Sequence, residues 1–398
     1  MTMFGFKEAE VAQLVRAVSP GDLDREQIET RLARALWSGL AEPGDGVAGL
    51  LIEQRGAAAA LAAVIERRPA AELASPEIPV SDIQLAIDRW TPRINPATML
   101  QWLRQAARYG ARLRTPDDEG WPAGFADLRE HGPIALWTRG RDDAYAALER
   151  SIALVGARAA TGYGEHVTME ASAGLVDRGF AIVSGAAYGI DGMAHRAALA
   201  SRGHTVAFLA GGVDRFYPSG HDALLTRIVE HGLVVSELPC GSAPTRWRFL
   251  QRNRLIAASS LATVVLEAGW RSGSLNTAHH ALDAGRPVGA VPGPVTSAAS
   301  AGCHKLIRDG FAALVTTPDE MAQLAGAIEP DAPGSRPREG TRLLDALSTR
   351  APRTVDALAA RAGLTVAETQ SELGRLELEG VVRAGDRGWT KKGAPREP

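Results

Sequence analysis

The sequence predicts an α/β protein: a doubly wound, mainly parallel sheet, with a small helical domain before it and a winged-helix domain after it. Three observations carry that prediction. Between residues 101 and 328, the short β-branched runs "IALVG", "FAIVSG", "TVAFLAGG", "LVVSEL", "ATVVLEA" and "PVGAVPG" alternate with amphipathic helical stretches. Near-continuous apolar strands separated by helices imply a parallel sheet covered on both faces. Residues 1–100 are rich in Ala and Leu at helical spacing, as in "QIETRLARALWSGL" and "GAAAALAAVIERRP", and are broken by Pro and Gly. The Pro/Gly/charge run "EPDAPGSRPREG", residues 329–340, reads as a linker. Residues 341–392 then read as three short helices followed by a hairpin with a Gly-Asp-Arg-Gly turn, which is winged-helix order.

Length and charge bound the function. A chain of 398 residues suits two to three domains. The formal net charge of −2 excludes a globally basic coat, so an anionic partner must be held by a local patch. No stretch approaches the ~20 apolar residues of a membrane span, and "MTMFGFKEAE" lacks the order of a signal peptide. The expected location is the cytoplasm. Cys240 and Cys303 are too few for a disulfide framework or a structural zinc site and are expected to be small buried residues. No metal or cofactor site is indicated.

The working surface of an open α/β sheet lies at the carboxyl ends of its strands, where loops meet helix N-termini. The first such loop, "GARAATGYG" (156–164), has Gly156 at the turn and Arg158 where a nicotinamide dehydrogenase needs its second glycine. The second strand ends in Ser184-Gly185 rather than an acid, so the dehydrogenase reading fails. In the second loop, "SGAAYGID", Ser184, Gly185 and Gly189 can turn backbone N–H groups toward an anion. Asp191 there is either a cap or a group orienting an arginine, and His195 is expected to pack against the sheet.

The densest basic stretch is "RWRFLQRNR", Arg246–Arg254, a helix with four arginines and no acid. Arg248 and Arg252 are four apart and repel each other, so something anionic should offset them. Arg252, Asn253 and Arg254 are the residues of this stretch assigned to a binding site. Over residues 246–310 eight basic residues face Glu267, Asp283 and Asp309, a local excess of five positive charges. Within that window, Gly273, Ser274 and Thr277 open a helix as another anion seat, and a Gly/Ser-rich loop leads to a helix with Lys305 and Arg308. In the terminal domain, Glu368, Glu372, Glu377 and Glu379 crowd the third helix against Arg375, a sign that repels phosphate. That domain is expected to contact protein or serve the structure, with the wing residues Arg383, Arg387 and Lys391 the alternative route to DNA.

On these residues the chain resembles the DprA/Smf family, the bacterial DNA-processing proteins of natural transformation. The resemblance is carried by "VGAR" (155–158), "SGAAYGID…AH" (184–195), "GGVDRFYP" (211–218), "VVSELP" (234–239), "RNRLIAASS" (252–260), "VLEAGWRSGSLNTA" (265–278) and "VPG…SAGCHKLIRDG" (291–310). The run "WP…L…P…LW…G" (121–140) resembles the start of the family's extended Rossmann-like domain, and the N-terminal helices resemble its SAM-like or helix-hairpin-helix-like domain. The resemblance implies a homodimeric protein without catalysis that binds single-stranded DNA independently of sequence, protects incoming DNA and helps load the RecA recombinase. It implies a site of Gly156, Arg158, Ser184, Gly185, Gly189, Arg252, Asn253, Arg254, Gly273, Ser274, Thr277 and Lys305, with Trp247 or Phe249 offering a stacking face. The chain departs from the pattern at Leu250, where proline is common, at Tyr188, where lysine is, and at His304, where asparagine is. The alternative is a nucleotide-binding or nucleotide-hydrolysing Rossmann-like enzyme, in which Glu267 would be the working acid, although a lone carboxylate is a poor catalytic set.

Overall fold

A computed structural model describes residues 2–19, 21–326, 339–349, 351–378 and 380–392. The chain divides into two compact units, Met1–Ala327 and Ile328–Pro398. Most of the expected linker, 329–338, lies outside the described residues; its last two positions begin a helix of the second unit.

The first unit is built on a nine-stranded sheet. Its strands are β1 (Arg112–Arg114), β2 (Leu136–Gly140), β3 (Ser151–Gly156), β4 (Ala181–Ser184), β5 (Thr205–Phe208), β6 (Leu233–Ser236), β7 (Ala262–Glu267), β8 (Val288–Ala290) and β9 (Ala313–Leu314). Their order is 9-8-7-3-4-5-6-2-1, with β3 to β9 parallel and β2 and β1 antiparallel at one edge. Six of these strands are those expected from the β-branched runs. The three others are the two antiparallel strands and β9, which is two residues long with both exposed.

The helices that position the site are α1 (Gly162–Asp177), α2 (Ile190–Ala200), α3 (Asp222–His231), α4 (Arg246–Ala258), α5 (Ser274–Asp283) and α6 (Ala301–Arg308). The winding runs outward from β3 in both directions: β3 to β6 through α1, α2 and α3, then β7 to β9 through α5 and α6. The order therefore reverses between β3 and β7, and a crevice opens outside their carboxyl ends.

The sheet core is aliphatic, as its parallel strands require: Ile152, Leu154, Ile182, Val183, Val206, Val264 and Val265 are fully buried. His195 packs there as expected. Its Nδ1 lies 2.7 Å from Thr205 Oγ1, and burial pushes its pKa down to about 3. Because Thr205 Oγ1 donates to the Ile182 carbonyl, His195 Nδ1 is the donor and Nε2 is left bare and neutral. Both cysteines are buried, and burial pushes each thiol up to about 12.

The N-terminal helices, from Glu8–Val18 to Pro96–Tyr109, share one apolar cluster with the sheet: Leu32, Leu36 and Trp37 pack in it with Trp137, Leu209 and Val234. Trp137 Nε1 donates to Ser38 Oγ at 3.0 Å, joining β2 to the second of these helices.

The second unit contains α7 (Glu339–Ala346), α8 (Val355–Ala362), α9 (Val366–Leu378) and the antiparallel hairpin β10 (Val382–Gly385) with β11 (Gly388–Lys391). Leu343, Leu358, Leu373, Leu376 and Val382 close its core. This is the winged helix expected from the sequence, and Glu372 on α9 pairs with Arg375.

Candidate nucleic-acid interface

The crevice at the switch point between β3 and β7 holds about 480 Å³. Its walls come mainly from two loops and two helices. The loop after β3 contributes Gly156, Ala157 and Arg158; the loop after β7 contributes Gly269, Arg271, Ser272 and Gly273; α5 adds Ser274 and Thr277; and α4 supplies Phe249, Leu250, Arg252 and Asn253. Asp191 is the one carboxylate among the lining residues.

Of the anion seats expected from sequence, two are filled from inside. Glu267, at the end of β7, is 2% exposed. It accepts from Thr161 N–H at 2.9 Å and Thr161 Oγ1 at 2.6 Å, which places a carboxylate at the N-terminus of α1. Asp191 does the same for the second loop. Its carboxylate accepts from Gly185 N–H at 3.2 Å and is also stabilised by the Gly156 and Ala187 amides, so it caps the loop rather than its own helix. The Ser184 hydroxyl is fully buried and donates to the Leu154 carbonyl at 2.6 Å, so it faces the sheet instead of the crevice.

The third seat is open. Helix α5 starts at Ser274, whose N–H donates to Ser272 Oγ at 3.4 Å, and Ser272 and Ser274 place their hydroxyls 2.7 Å apart at its mouth. The next two amides turn back onto the loop, Leu275 N–H to the Ser272 carbonyl and Asn276 N–H to that of Gly273, both at 3.2 Å, so the hydroxyls and the positive end of a ten-residue helix face the crevice with no carboxylate on them. Asn253 is fixed against this helix by its Nδ2, which donates to Asn276 Oδ1 at 3.1 Å.

The arginines divide in the same way. Arg254 is 3% exposed, and its Nη2 donates to both oxygens of Glu237, at 2.7 and 2.9 Å. The sequence assigned it to the binding site; the structure turns it away from the crevice, because α4 is a regular helix and Arg254 lies half a turn beyond Arg252. Arg248 is neutralised by Glu42 at 2.8 and 3.0 Å. Arg252 forms the back wall: Nη1 donates to the Phe208 carbonyl at 2.7 Å, and the guanidinium presses on Gly185, where a Cβ would come within 1.9 Å of Nη1. A side chain there would have to displace the guanidinium. Burial lowers the Arg252 pKa to about 10 and raises that of Asp191, while the charge of each opposes the other's shift, so Arg252 stays protonated at neutral pH.

Arg158 and Arg271 are exposed lining residues with no acid partner among the described residues. The Phe249 ring sits between two cations, with Arg158 Cζ at 5.6 Å and Arg252 Cζ at 5.9 Å from its centroid. Gly189 opens α2 at a φ of +74°, and a Cβ there would lie 2.3 Å from the Ala157 carbonyl, so the first two loops meet only through glycine. Lys305 does not line the crevice; its ammonium stands 5.2 Å from the Trp270 ring centroid. Leu250 retains a backbone N–H inside α4, where a proline would remove one helical bond. Tyr188, 47% exposed, packs edge-on against His221, and His304 Nε2 ties down the Gly293 backbone.

Arg271 is the site residue that sequence reasoning passed over. It was counted in the local charge excess, and its place two residues before Gly273, in a strand-to-helix turn, was the available signal.

Comparison with known proteins agrees with this geometry. Residues 112–326 match the family model for DNA recombination-mediator protein A, and residues 327–386 match the DprA winged helix domain. A protein of Mycobacterium tuberculosis that carries the DprA name is 47% identical over 302 residues, covering 71% of this chain and 77% of its own. The chain belongs to the DprA/Smf family. The Smf protein of Escherichia coli is 39% identical over 233 residues, 58% of this chain and 60% of its own. The X-ray structure of DNA processing protein A from Streptococcus pneumoniae superposes with a TM-score of 0.57 at 29% identity, covering 73% of this chain and 95% of that one. The family is one of DNA-processing proteins, and its winged helix is the second unit described above. No helix among the described residues is long and apolar enough to cross a membrane on its own.

Proposed function

We propose that this protein binds single-stranded DNA at the β3/β7 crevice without regard to base sequence, protects incoming strands, and helps load RecA in transformation and recombination as a cytoplasmic homodimer. The observation that carries the binding site is the convergence of the exposed Arg158 and Arg271, with the buried Arg252 behind them, on the positive end of α5 and its serine hydroxyls, with Asp191 the one acid in the lining. Backbone N–H groups, hydroxyls and guanidinium forks recognise phosphate oxygens and carry no base code. The family resemblance is what supports RecA loading and dimerisation.

Hydrolysis of a bound nucleotide gains no support from the geometry. Glu267 is tied to Thr161 and does not line the crevice, and Asp191 is engaged by loop amides.

The test is fluorescence anisotropy of a labelled oligothymidine, beside a duplex of equal length, with the wild type and an Arg158→Ala/Arg271→Ala variant. Two exposed arginine contacts to a single strand predict a log K against log salt slope of roughly −1.4, with the slope and the affinity both reduced in the variant. The variant belongs at 158 and 271, because Arg252 and Arg254 are buried and removing them would test the fold instead. Binding that is salt-insensitive, or sequence-specific, would sink the proposal.

A further inference from the structure

Two exposed tryptophans flank the arginine-lined crevice, and their surroundings differ in sign. Trp247 and Trp270 are each 56% exposed. Trp247, near the start of α4, borders a separate crevice of about 750 Å³ whose walls carry Glu42, Asp45, Glu77, Asp82, Asp88 and Glu130 against Arg89 and Arg93. A phosphate backbone entering there meets mostly carboxylates.

Trp270 has the opposite setting. It sits in the chain between Gly269 and Arg271, both of which line the phosphate-binding crevice, and the Lys305 ammonium stands 5.2 Å from its ring centroid. The turn that carries it is braced. Gly302 N–H donates to the Ala268 carbonyl at 2.7 Å, Ser272 N–H donates to the Gly269 carbonyl at 3.0 Å, and a Cβ at Gly302 would come within 2.6 Å of the Gly269 oxygen. An indole held on a fixed turn loses little freedom when a base stacks on it. Every base has a π-face, so such a contact is tolerant of sequence. The cation beside the ring favours the adjoining phosphate.

We propose that Trp270 is the base-stacking platform of this protein, and that the strand leaves the phosphate seat across Trp270 and Lys305 rather than across Trp247. The inference rests on the single-strand reading of the crevice and adds to it a direction and a residue. Phe249, the other aromatic at the site, is already held between Arg158 and Arg252 and against the Tyr217 ring at 5.4 Å.

The experiment compares a labelled oligothymidine of about ten nucleotides, within the usual site size, with an abasic oligomer of equal length. The full chain is used as wild type, Trp270→Ala, Trp270→Phe, Trp247→Ala and Arg158→Ala. Trp270→Ala should weaken oligothymidine binding about tenfold, as loss of one stacked base does, while Trp270→Phe keeps most of the affinity and Trp247→Ala stays near wild type. The abasic oligomer should bind wild type and Trp270→Ala equally. Unchanged oligothymidine affinity in Trp270→Ala, or an equal loss for the abasic oligomer, would overturn the platform. If Arg158→Ala weakens both oligomers while Trp270→Ala weakens neither, the platform alone falls. If the wild type binds neither oligomer, the crevice reading falls with it.

Discussion

The loops after β3 and β4 hold carboxylates of the chain itself, Glu267 and Asp191, whereas the loop after β7 leads into α5 with only serine hydroxyls and backbone carbonyls on its N-terminal amides. All three are glycine turns feeding helices, so backbone chemistry alone does not distinguish them. The difference lies in what balances the charge. Asp191 feels the charge of the buried Arg252 and takes up amides that would otherwise face the crevice, so that seat is occupied from within. At α5 the neighbours are Arg271 and Arg158, which have no acid partner among the described residues, so the positive field is not cancelled from within. Arg254 and Arg158 repeat the contrast among the arginines, one closed by Glu237 and the other open.

The strongest way to break this comparison is to empty a filled seat. Asp191→Ala leaves the buried Gly185 N–H without its acceptor and should cost about 1–3 kcal/mol of stability, the range for a buried donor left unsatisfied. Chemical denaturation measures it, and a loss below about 1 kcal/mol, typical of a surface site, would show that the closed seat is not structural. The complementary change strips the open seat. Arg158→Ala should weaken single-strand binding by about 1–3 kcal/mol, as loss of a charge-assisted contact does, and leave the melting temperature nearly unchanged. A large drop in melting temperature would instead place Arg158 among the closed groups.

Much of the molecule was legible in the sequence because its determinants are local. The run "ATVVLEA" is a strand because six β-branched or apolar residues leave no polar face, and Ala262–Glu267 is accordingly buried on both sides. The winged helix was legible for the same reason, since α8 is opened by the Thr354 cap and closed by Gly363 in the left-handed region. The binding site was legible only as a neighbourhood. Gly156, Arg158, Arg252, Asn253, Gly273, Ser274 and Thr277 do meet at the crevice, and Gly185 and Gly189 shape it. Ser184, Arg254 and Lys305 do not line it. What misled in those three is tertiary contact: the Leu154 carbonyl that takes up the Ser184 hydroxyl, the Glu237 that closes Arg254 and the Trp270 ring beside Lys305 lie on other elements, and no local pattern announces them. The two exposed tryptophans could not be ranked from sequence either, because the acids around Trp247 come from the N-terminal helices.

The helix that carries Asp191 offers a pH test of the closed side. Neutral His195 is favoured by the fold, its pKa depressed to about 3 from an ordinary 6.5. Its contribution is therefore complete above pH 6.5 and is lost as pH falls toward 3, because the unfolded chain binds a proton that the folded one refuses. Between pH 6.5 and 5 the loss should be about 2 kcal/mol. Asp191 works the other way: burial raises its pKa, so acidification through the folded value relieves a cost. His195→Gln should flatten the acid limb of a denaturation series, and an unchanged slope in that variant would assign the limb elsewhere.

The smallest effect tests whether a closed arginine can be reopened. Arg248 and Glu42 are partly exposed, with side-chain exposures of 17% and 31%, and solvent screens their attraction. Glu42→Gln should cost no more than about 1 kcal/mol of stability, the upper range for such pairs. It also frees a guanidinium on the helix that forms one wall of the crevice. Association with oligothymidine should then quicken at low salt and return to the wild-type rate at high salt, since the gain is one of long-range field. A gain that persists at high salt would mean that Arg248 contacts the strand directly, and the boundary between closed and open arginines would move one turn along α4.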